Sequence, residues 1–464
     1  MNRRFQSLFD IQKTKISCVD LVEFYLGQIQ AQNASLNAFI EVWEKEARTR
    51  AKEIDEKIKK DTAGKLAGMV IGLKDNLLVK NQAASNSSKI LSGFTSPYTA
   101  SAVQKLLDED AILIGRLNND EFAMGSSNET SFYGPVKNAI DLERVPGGSS
   151  GGSAVAVQAE MCTAALGTDT GGSVRQPAAF TGTIGLKPSY GRISRYGVMS
   201  YASSFDQIGP ISYSISDAAI LLEVMSGKDP KDATSSSKKV EAYSALKPNE
   251  PKRIAYIEAE GLDDEVSKAY AYQIEKISAS KHQLERISID FADALVPTYY
   301  VLTTAEASSN LSRYAGMIYG HQSKKQNSLD ELIMQSRNEG FGPEVKRRIM
   351  TGTFILSEEH FEAYYTKALL VRRKIKNRLN EIFENFDAIL SPTAPTVPFK
   401  LNEKKQDPIA MYLADQFTVM ASLGGVCAIS IPMKNITGKL PLGLQITCNS
   451  FCEKSLLNLA NELV

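Results

Sequence analysis

Cysteine, histidine and tryptophan are scarce in this chain. Five scattered cysteines in 464 residues are an odd count that argues against a disulfide scaffold and for a reducing compartment. Cys448 and Cys452 have no matching His/Cys pair nearby in sequence, so no metal site is expected. The three histidines, His282, His321 and His360, lie in the later, charge-rich half and outside any glycine-rich or apolar motif. A histidine-based triad therefore has poor support. An excess of charge is also missing. The 53 basic and 53 acidic side chains balance, which gives no sign that this chain alone wraps RNA. No apolar run reaches the roughly eighteen residues of a membrane span, and Met1–Gln6 lacks the apolar core of a secretion signal. The expected location is the cytoplasm, with no membrane partner.

What the chain does have is length and apolar content, 43% hydrophobic residues, enough for a sizeable core. Residues 1–60 read as an N-terminal helical region packed on the core; within 16–60 two helices are expected, with Ser17 or Asp20 as caps and Val19, Leu21, Val22, Tyr25 and Leu26 as a buried face. Residues 61–464 read as one domain. In it, 61–210 carry the catalytic motifs, Lys228–Lys239 form an exposed connection, 240–385 are mostly helical after a strand at Arg253–Ile257, and 386–464 supply strands that return to the core. No internal repeat is apparent. The alternation predicts an α/β fold, a large mixed sheet covered by helices on both faces.

Three small-residue motifs carry the chemistry: Gly72-Leu73-Lys74-Asp75-Asn76, Gly147-Gly148-Ser149-Ser150-Gly151-Gly152-Ser153 and Asp169-Thr170-Gly171-Gly172-Ser173-Val174-Arg175. Glycine at this density implies backbone shapes or close approaches that a Cβ would block. Ser149 sits in a loop that leads into a helix N-terminus, and Ser173 in a tight loop after an apolar strand. A serine hydroxyl needs a base. Lys74, ending the apolar run Met69–Leu73, becomes one if burial lowers its pKa. Taken singly, Lys74 also suits a solvated strand end, and the Ser149 segment a flexible or phosphate-holding turn. Gly152-Ser153-Ala154 nevertheless lacks the lysine of a Walker loop, and Ser173 lacks the second glycine of a GxSxG elbow.

In this order the three motifs resemble the amidase signature family, over nearly the whole chain. The resemblance implies a Ser-cisSer-Lys triad: Lys74 as base, Ser149 as bridging serine in a cis peptide, Ser173 as acyl-forming nucleophile. The backbone of Thr170, Gly171 and Gly172 then forms the oxyanion hole. Asp120–Ser127, Tyr133–Asn138, Ser203–Pro210, Ala305–Leu311 and Val345–Met350 resemble the branch made up of A subunits of glutamyl-tRNA(Gln) amidotransferases. That branch implies hydrolysis of glutamine, with ammonia passed to a B subunit that binds tRNA and uses ATP and Mg2+, and a small C subunit completing a heterotrimer. No cofactor is expected on this chain itself. Zwitterionic glutamine needs a cation and an anion; by resemblance these are Arg348 and Asp415, with Tyr299 as a pocket wall and Arg347 and Tyr300 as competitors one residue away. Arg175 is expected to clamp its loop, with Asp169 as the candidate partner, and Asp206 to buttress the core. Ala83–Ser88 departs from the loop expected in this branch. A stand-alone amidase for another small amide and a non-catalytic scaffold are the alternative functions.

Overall fold

The computed structural model describes residues 4–325, 327–404 and 407–464, without the side chain of Pro408; Met1–Arg3 of the N-terminal segment lie outside it. Eleven strands form one sheet: β1 (Phe39–Val42), β2 (Val70–Lys74), β3 (Ile112–Leu117), β4 (Ala164–Asp169), β5 (Ile184–Lys187), β6 (Gln207–Ser212), β7 (Arg253–Ile257), β8 (Gln283–Ile287), β9 (Ala388–Pro392), β10 (Cys427–Met433) and β11 (Leu442–Cys448). Their spatial order is β1-β3-β2-β4-β6-β5-β10-β11-β9-β7-β8. β2 runs parallel to both β3 and β4, while β4 pairs antiparallel with β6. Every residue of β2, β3, β4, β5 and β6 is buried. These strands are covered on both faces, which is why they are rich in apolar residues without an alternating pattern.

Helix boundaries follow local chemistry. The helix Cys18–Leu36 begins where Ser17 Oγ accepts the Asp20 N–H and ends at Asn37 in the left-handed region. It buries Leu21, Val22, Tyr25 and Leu26; Val19 is only half-buried. Between it and the helix Glu44–Lys59 lies β1, an edge strand on β3 within a stretch the sequence presents as helical. The largely helical 240–385 region likewise contains β8 at the opposite edge. The Lys228–Lys239 connection has no helix or strand, and its exposed residues alternate with buried Asp229, Asp232 and Ser235. Asp229 accepts from Ser194 Oγ at 2.5 Å and Asp232 from the Arg195 N–H at 2.8 Å.

β10 and β11, late in the chain, sit between β5 and β9. The C-terminal segment thus fills the middle of the sheet and packs against the first catalytic segments. Among the described residues no helix is long and apolar enough to cross a membrane.

Candidate active site

Lys74 is the last residue of β2, a parallel strand flanked by two others, and its side chain is wholly buried. Ligands in open α/β sheets gather at such carboxyl ends. Its Nζ donates to Ser149 Oγ at 2.7 Å and Ser150 Oγ at 2.8 Å, with the Thr168 carbonyl at 3.5 Å. Burial brings its pKa down to about 7, against the opposing pull of Asp120, Asp169 and Asp206. A neutral amine keeps two N–H donors and one lone pair. Ser150 and the Thr168 carbonyl can take the donors, which leaves the lone pair for the Ser149 hydroxyl.

The Gly148–Ser149 peptide is cis. Gly148 lies so close to Asp120 that a Cβ would collide with its carboxylate, and its N–H is taken by Gln176 Oε1 at 2.9 Å. Asp120 in turn accepts the Asn128 and Thr130 N–H groups and the Thr130 hydroxyl. The helix Gly151–Gln158 then starts directly after the serine pair.

Ser173 stands on the turn between β4 and the helix Arg175–Thr181. Its carbonyl accepts the Ser150 N–H at 3.1 Å, which fixes the two serine loops together. Among the described residues its hydroxyl makes no hydrogen bond, and the residue is 8% exposed. The N–H groups of Gly171, Gly172 and Ser173 also donate to no protein group among those residues, whereas the next two, of Val174 and Arg175, are bound by Asp169. Gly172 adopts φ +147, backbone that side chains disfavour. A Cβ on Gly171 would stand 2.6 Å from the Tyr299 hydroxyl, and one on Gly172 would strike Thr418.

The turn is clamped from below. Arg175, fully buried, pairs with Asp169 at 2.8 Å and donates to the Thr418 carbonyl, Gln445 and Ser422. Burial drives the Asp169 pKa up, but the Arg175 guanidinium outweighs it and holds the carboxyl below its ordinary value. Asp206 accepts from Thr170 Oγ1 at 2.6 Å, Ser200 Oγ at 2.7 Å and the Tyr201 N–H at 3.0 Å. Both residues occupy the supporting positions expected of them.

A cavity of about 380 Å³ opens beside this machinery, lined by Glu121, Ser126, Glu344, Arg347, Arg348 and Tyr412 among others. Arg348 is buried; it donates to Glu344 at 2.8 Å and to the Tyr201 hydroxyl at 2.9 Å, and lies 5.3–5.6 Å from the rings of Tyr201, Tyr300 and Tyr412. Its Nη2 is free of protein partners among the described residues. Arg347 is half exposed and paired with Glu344. Asp415 accepts from Ser126 Oγ at 2.9 Å and the Tyr300 hydroxyl at 3.1 Å, and burial raises its pKa to about 7. Tyr299 abuts the nucleophile turn, while Tyr300 stacks on Tyr412 at 4.0 Å. The one-residue competitors thus divide: Arg348 is the buried cation, and both tyrosines are engaged, on different sides.

Several contributors were given no role by the sequence, although Ser150 and Ser126 lie within its motifs: Ser150 on Lys74, Gln176 on Gly148, Tyr201 on Arg348 and Ser126 on Asp415. Glu121 is another. Burial raises its pKa to about 7, and it accepts from Ser88 Oγ and, at 2.9 Å, from the N–H of Gly342, the N-cap residue of the Arg348 helix Pro343–Ile355. Ser88 belongs to the 83–88 loop. The histidines are engaged elsewhere: His282 with Lys252 and Glu462, His321 with Glu339, His360 with Phe354. No cluster of three metal-ligating side chains occurs among the described residues.

Known proteins share this architecture. The Amidase family model matches residues 20–457. The A subunit of glutamyl-tRNA(Gln) amidotransferase from Acidobacterium capsulatum is 48% identical over 444 residues, 94% of this chain and 93% of that protein. Its counterpart from Coxiella burnetii is 47% identical, with 98% and 95% covered. Among solved structures, the A subunit of the Thermotoga maritima glutamyl-tRNA(Gln) amidotransferase superposes with a TM-score of 0.78 at 39% identity, over 94% of this chain and 89% of that one.

Proposed function

The chain belongs to the amidase family, and on that footing we propose that it is the glutamine-hydrolysing A subunit of a glutamyl-tRNA(Gln) amidotransferase. The observation that carries the reading is the buried Lys74–Ser149 hydrogen bond beside a serine turn with three unengaged amides. That set suits attack on a carboxamide; the cavity next to it exposes the buried cation Arg348, and the buried carboxylate of Asp415 lies directly behind its wall, bonded to Ser126 and Tyr300.

Neutral Lys74 takes the Ser149 proton as Ser149 takes that of Ser173, and Ser173 Oγ bonds to the carboxamide carbon of glutamine. The bond between the Ser149 and Ser173 hydroxyls closes when substrate fills the site, as catalytic contacts commonly tighten on binding. The oxyanion lies against the backbone amides of the Thr170–Ser173 turn. Loss of one such donor typically costs roughly a hundredfold to a thousandfold in rate. When the tetrahedral adduct collapses, the relayed proton goes to the leaving nitrogen and ammonia departs, leaving a glutamyl ester on Ser173. A water molecule gives its proton to the same relay, attacks the ester carbon and releases glutamate. Arg348 receives the substrate carboxylate on its free Nη2, Asp415 receives the ammonium, and Tyr299 is the wall beside the Gly171 turn.

Ammonia passes to a B subunit that holds tRNA and uses ATP and Mg2+, with a C subunit completing a cytoplasmic heterotrimer. Ammonia release from glutamine by the chain, alone and with its partner subunits, tests the reading. Partner-stimulated release that vanishes in Ser173→Ala supports it. Release indifferent to the partners, or confined to other amides, points to a stand-alone amidase; release surviving in Ser173→Ala overturns the mechanism.

A further inference from the structure

Away from the catalytic turn, a second cavity of about 480 Å³ lies between the helix Lys367–Asn385, residues 423–425 and the turn at 450–451. Leu369, Arg372, Arg373 and Lys376 face it from one side of that helix, as the three- and four-residue spacing requires. No carboxylate lines it. Arg373 and Lys376 are exposed and make no hydrogen bond or ion pair among the described residues.

Arg372 is fixed from behind. It donates from Nε to the Leu423 carbonyl at 3.2 Å and from Nη2 to the Ser204 carbonyl at 3.0 Å, over the Phe205 ring at 4.0 Å. Nη1 has no protein partner among the described residues. The nearby Glu306 is occupied by the Ser204 N–H at 2.9 Å. Burial outweighs the pull of Glu306 and lowers the Arg372 pKa, as expected for a guanidinium short of counter-charge. On the opposite wall, Phe451 carries Lys238 4.3 Å and Arg192 4.7 Å from its ring centre.

We propose that this cavity binds a phosphate group, held by Arg372, Arg373 and Lys376. A rigid, pre-oriented guanidinium with a free N–H edge suits a multidentate oxyanion, and two mobile cations supply further positive charge, enough for either a monoester dianion or a phosphodiester monoanion. The phosphate belongs either to a small monoester or free phosphate, or to an RNA backbone. The assignment is independent of glutamine hydrolysis.

The full chain is titrated calorimetrically at low salt with inorganic phosphate, with AMP and with a short single-stranded RNA lacking a terminal phosphate. Wild type is compared with Arg373→Ala/Lys376→Ala and with a control, Lys45→Ala/Lys52→Ala, that removes equal charge from an exposed remote helix. The expected result is binding that weakens at least tenfold in the cavity variant and is unchanged in the control. Phosphate and AMP binding without RNA binding identifies the small-molecule source. RNA binding whose salt dependence falls by about two counterions in the cavity variant identifies the backbone. No binding of any probe, equal loss in the control, or equally tight binding of succinate overturns the proposal. Circular-dichroism melts of both variants check that they remain folded.

Discussion

Lowering the pH from 8 to 6 should stop this enzyme in two separable ways. Lys74 acts as a base only when neutral, and its folded-state pKa is depressed to about 7, so the active form is lost as pH falls through that value. Asp415 receives an ammonium only when ionised, and its pKa is raised to about 7, so it too is lost on the acid side. Both groups must be deprotonated in the free enzyme, which kcat/KM reports. At pH 6 each is about one-tenth active, and their product gives a fall of roughly a hundredfold, with a limiting slope near two on a logarithmic plot. In the complex, the substrate ammonium holds Asp415 ionised, so kcat depends on Lys74 alone and falls only about tenfold, with slope one. Steady-state ammonia release between pH 5.5 and 8.5 measures both. Asp415→Asn should reduce the kcat/KM slope to one while raising KM. A kcat constant across the range would refute a neutral Lys74 as the base, and an unchanged slope in Asp415→Asn would refute its ammonium contact.

Arg348→Lys loses the fork that serves Glu344, Tyr201 and the substrate together; KM for glutamine should rise at least tenfold with kcat within threefold, whereas Arg347→Ala should leave both nearly unchanged in the same assay. Arg175→Met strands a buried Asp169 carboxylate, and urea unfolding should show a loss of about 3–5 kcal/mol, the usual cost of breaking a buried pair; Arg175→Met/Asp169→Leu should recover part of it. Glu121→Ala removes the carboxylate at the N-terminus of the Arg348 helix, so KM should rise severalfold more than kcat falls. Glu121→Gln, which can still accept the Gly342 N–H, should recover much of the difference.

The central strands and the catalytic candidates were legible because their signals are local. β2, β4 and β10 are dominated by apolar residues, and the triad candidates sit in small-residue motifs that, ambiguous singly, point to one chemistry when they occur in this order. The edge strands were not legible. β1 has four residues between two helices, and β8 is half exposed, so neither shows a buried-strand pattern. The supports of the site were hidden for another reason. Gln176 reaches Gly148 across 28 residues and Glu121 reaches Gly342 across 221, and no local periodicity encodes such pairings. Arg348 could be separated from Arg347 only once the helix direction was known, since a one-residue register decides which guanidinium faces Tyr201.

Tyr299 and Thr418 wall the Ser173 turn, and Gln445 on β11 holds the arginine beneath it. During synthesis, therefore, the nucleophile emerges from the ribosome long before the surfaces that shape it. A nascent chain that has reached residue 200 carries Lys74, Ser149 and Ser173 but not Tyr299, Arg348, Asp415, Thr418 or Gln445, so the proposed site is incomplete until the C-terminal strands are made. A single break between residues 314 and 325 likewise leaves Lys74, Ser149 and Ser173 on one piece of chain and puts Arg348, Asp415, Thr418 and Gln445 on the other, so the triad candidates and the surfaces that shape them share no continuous backbone.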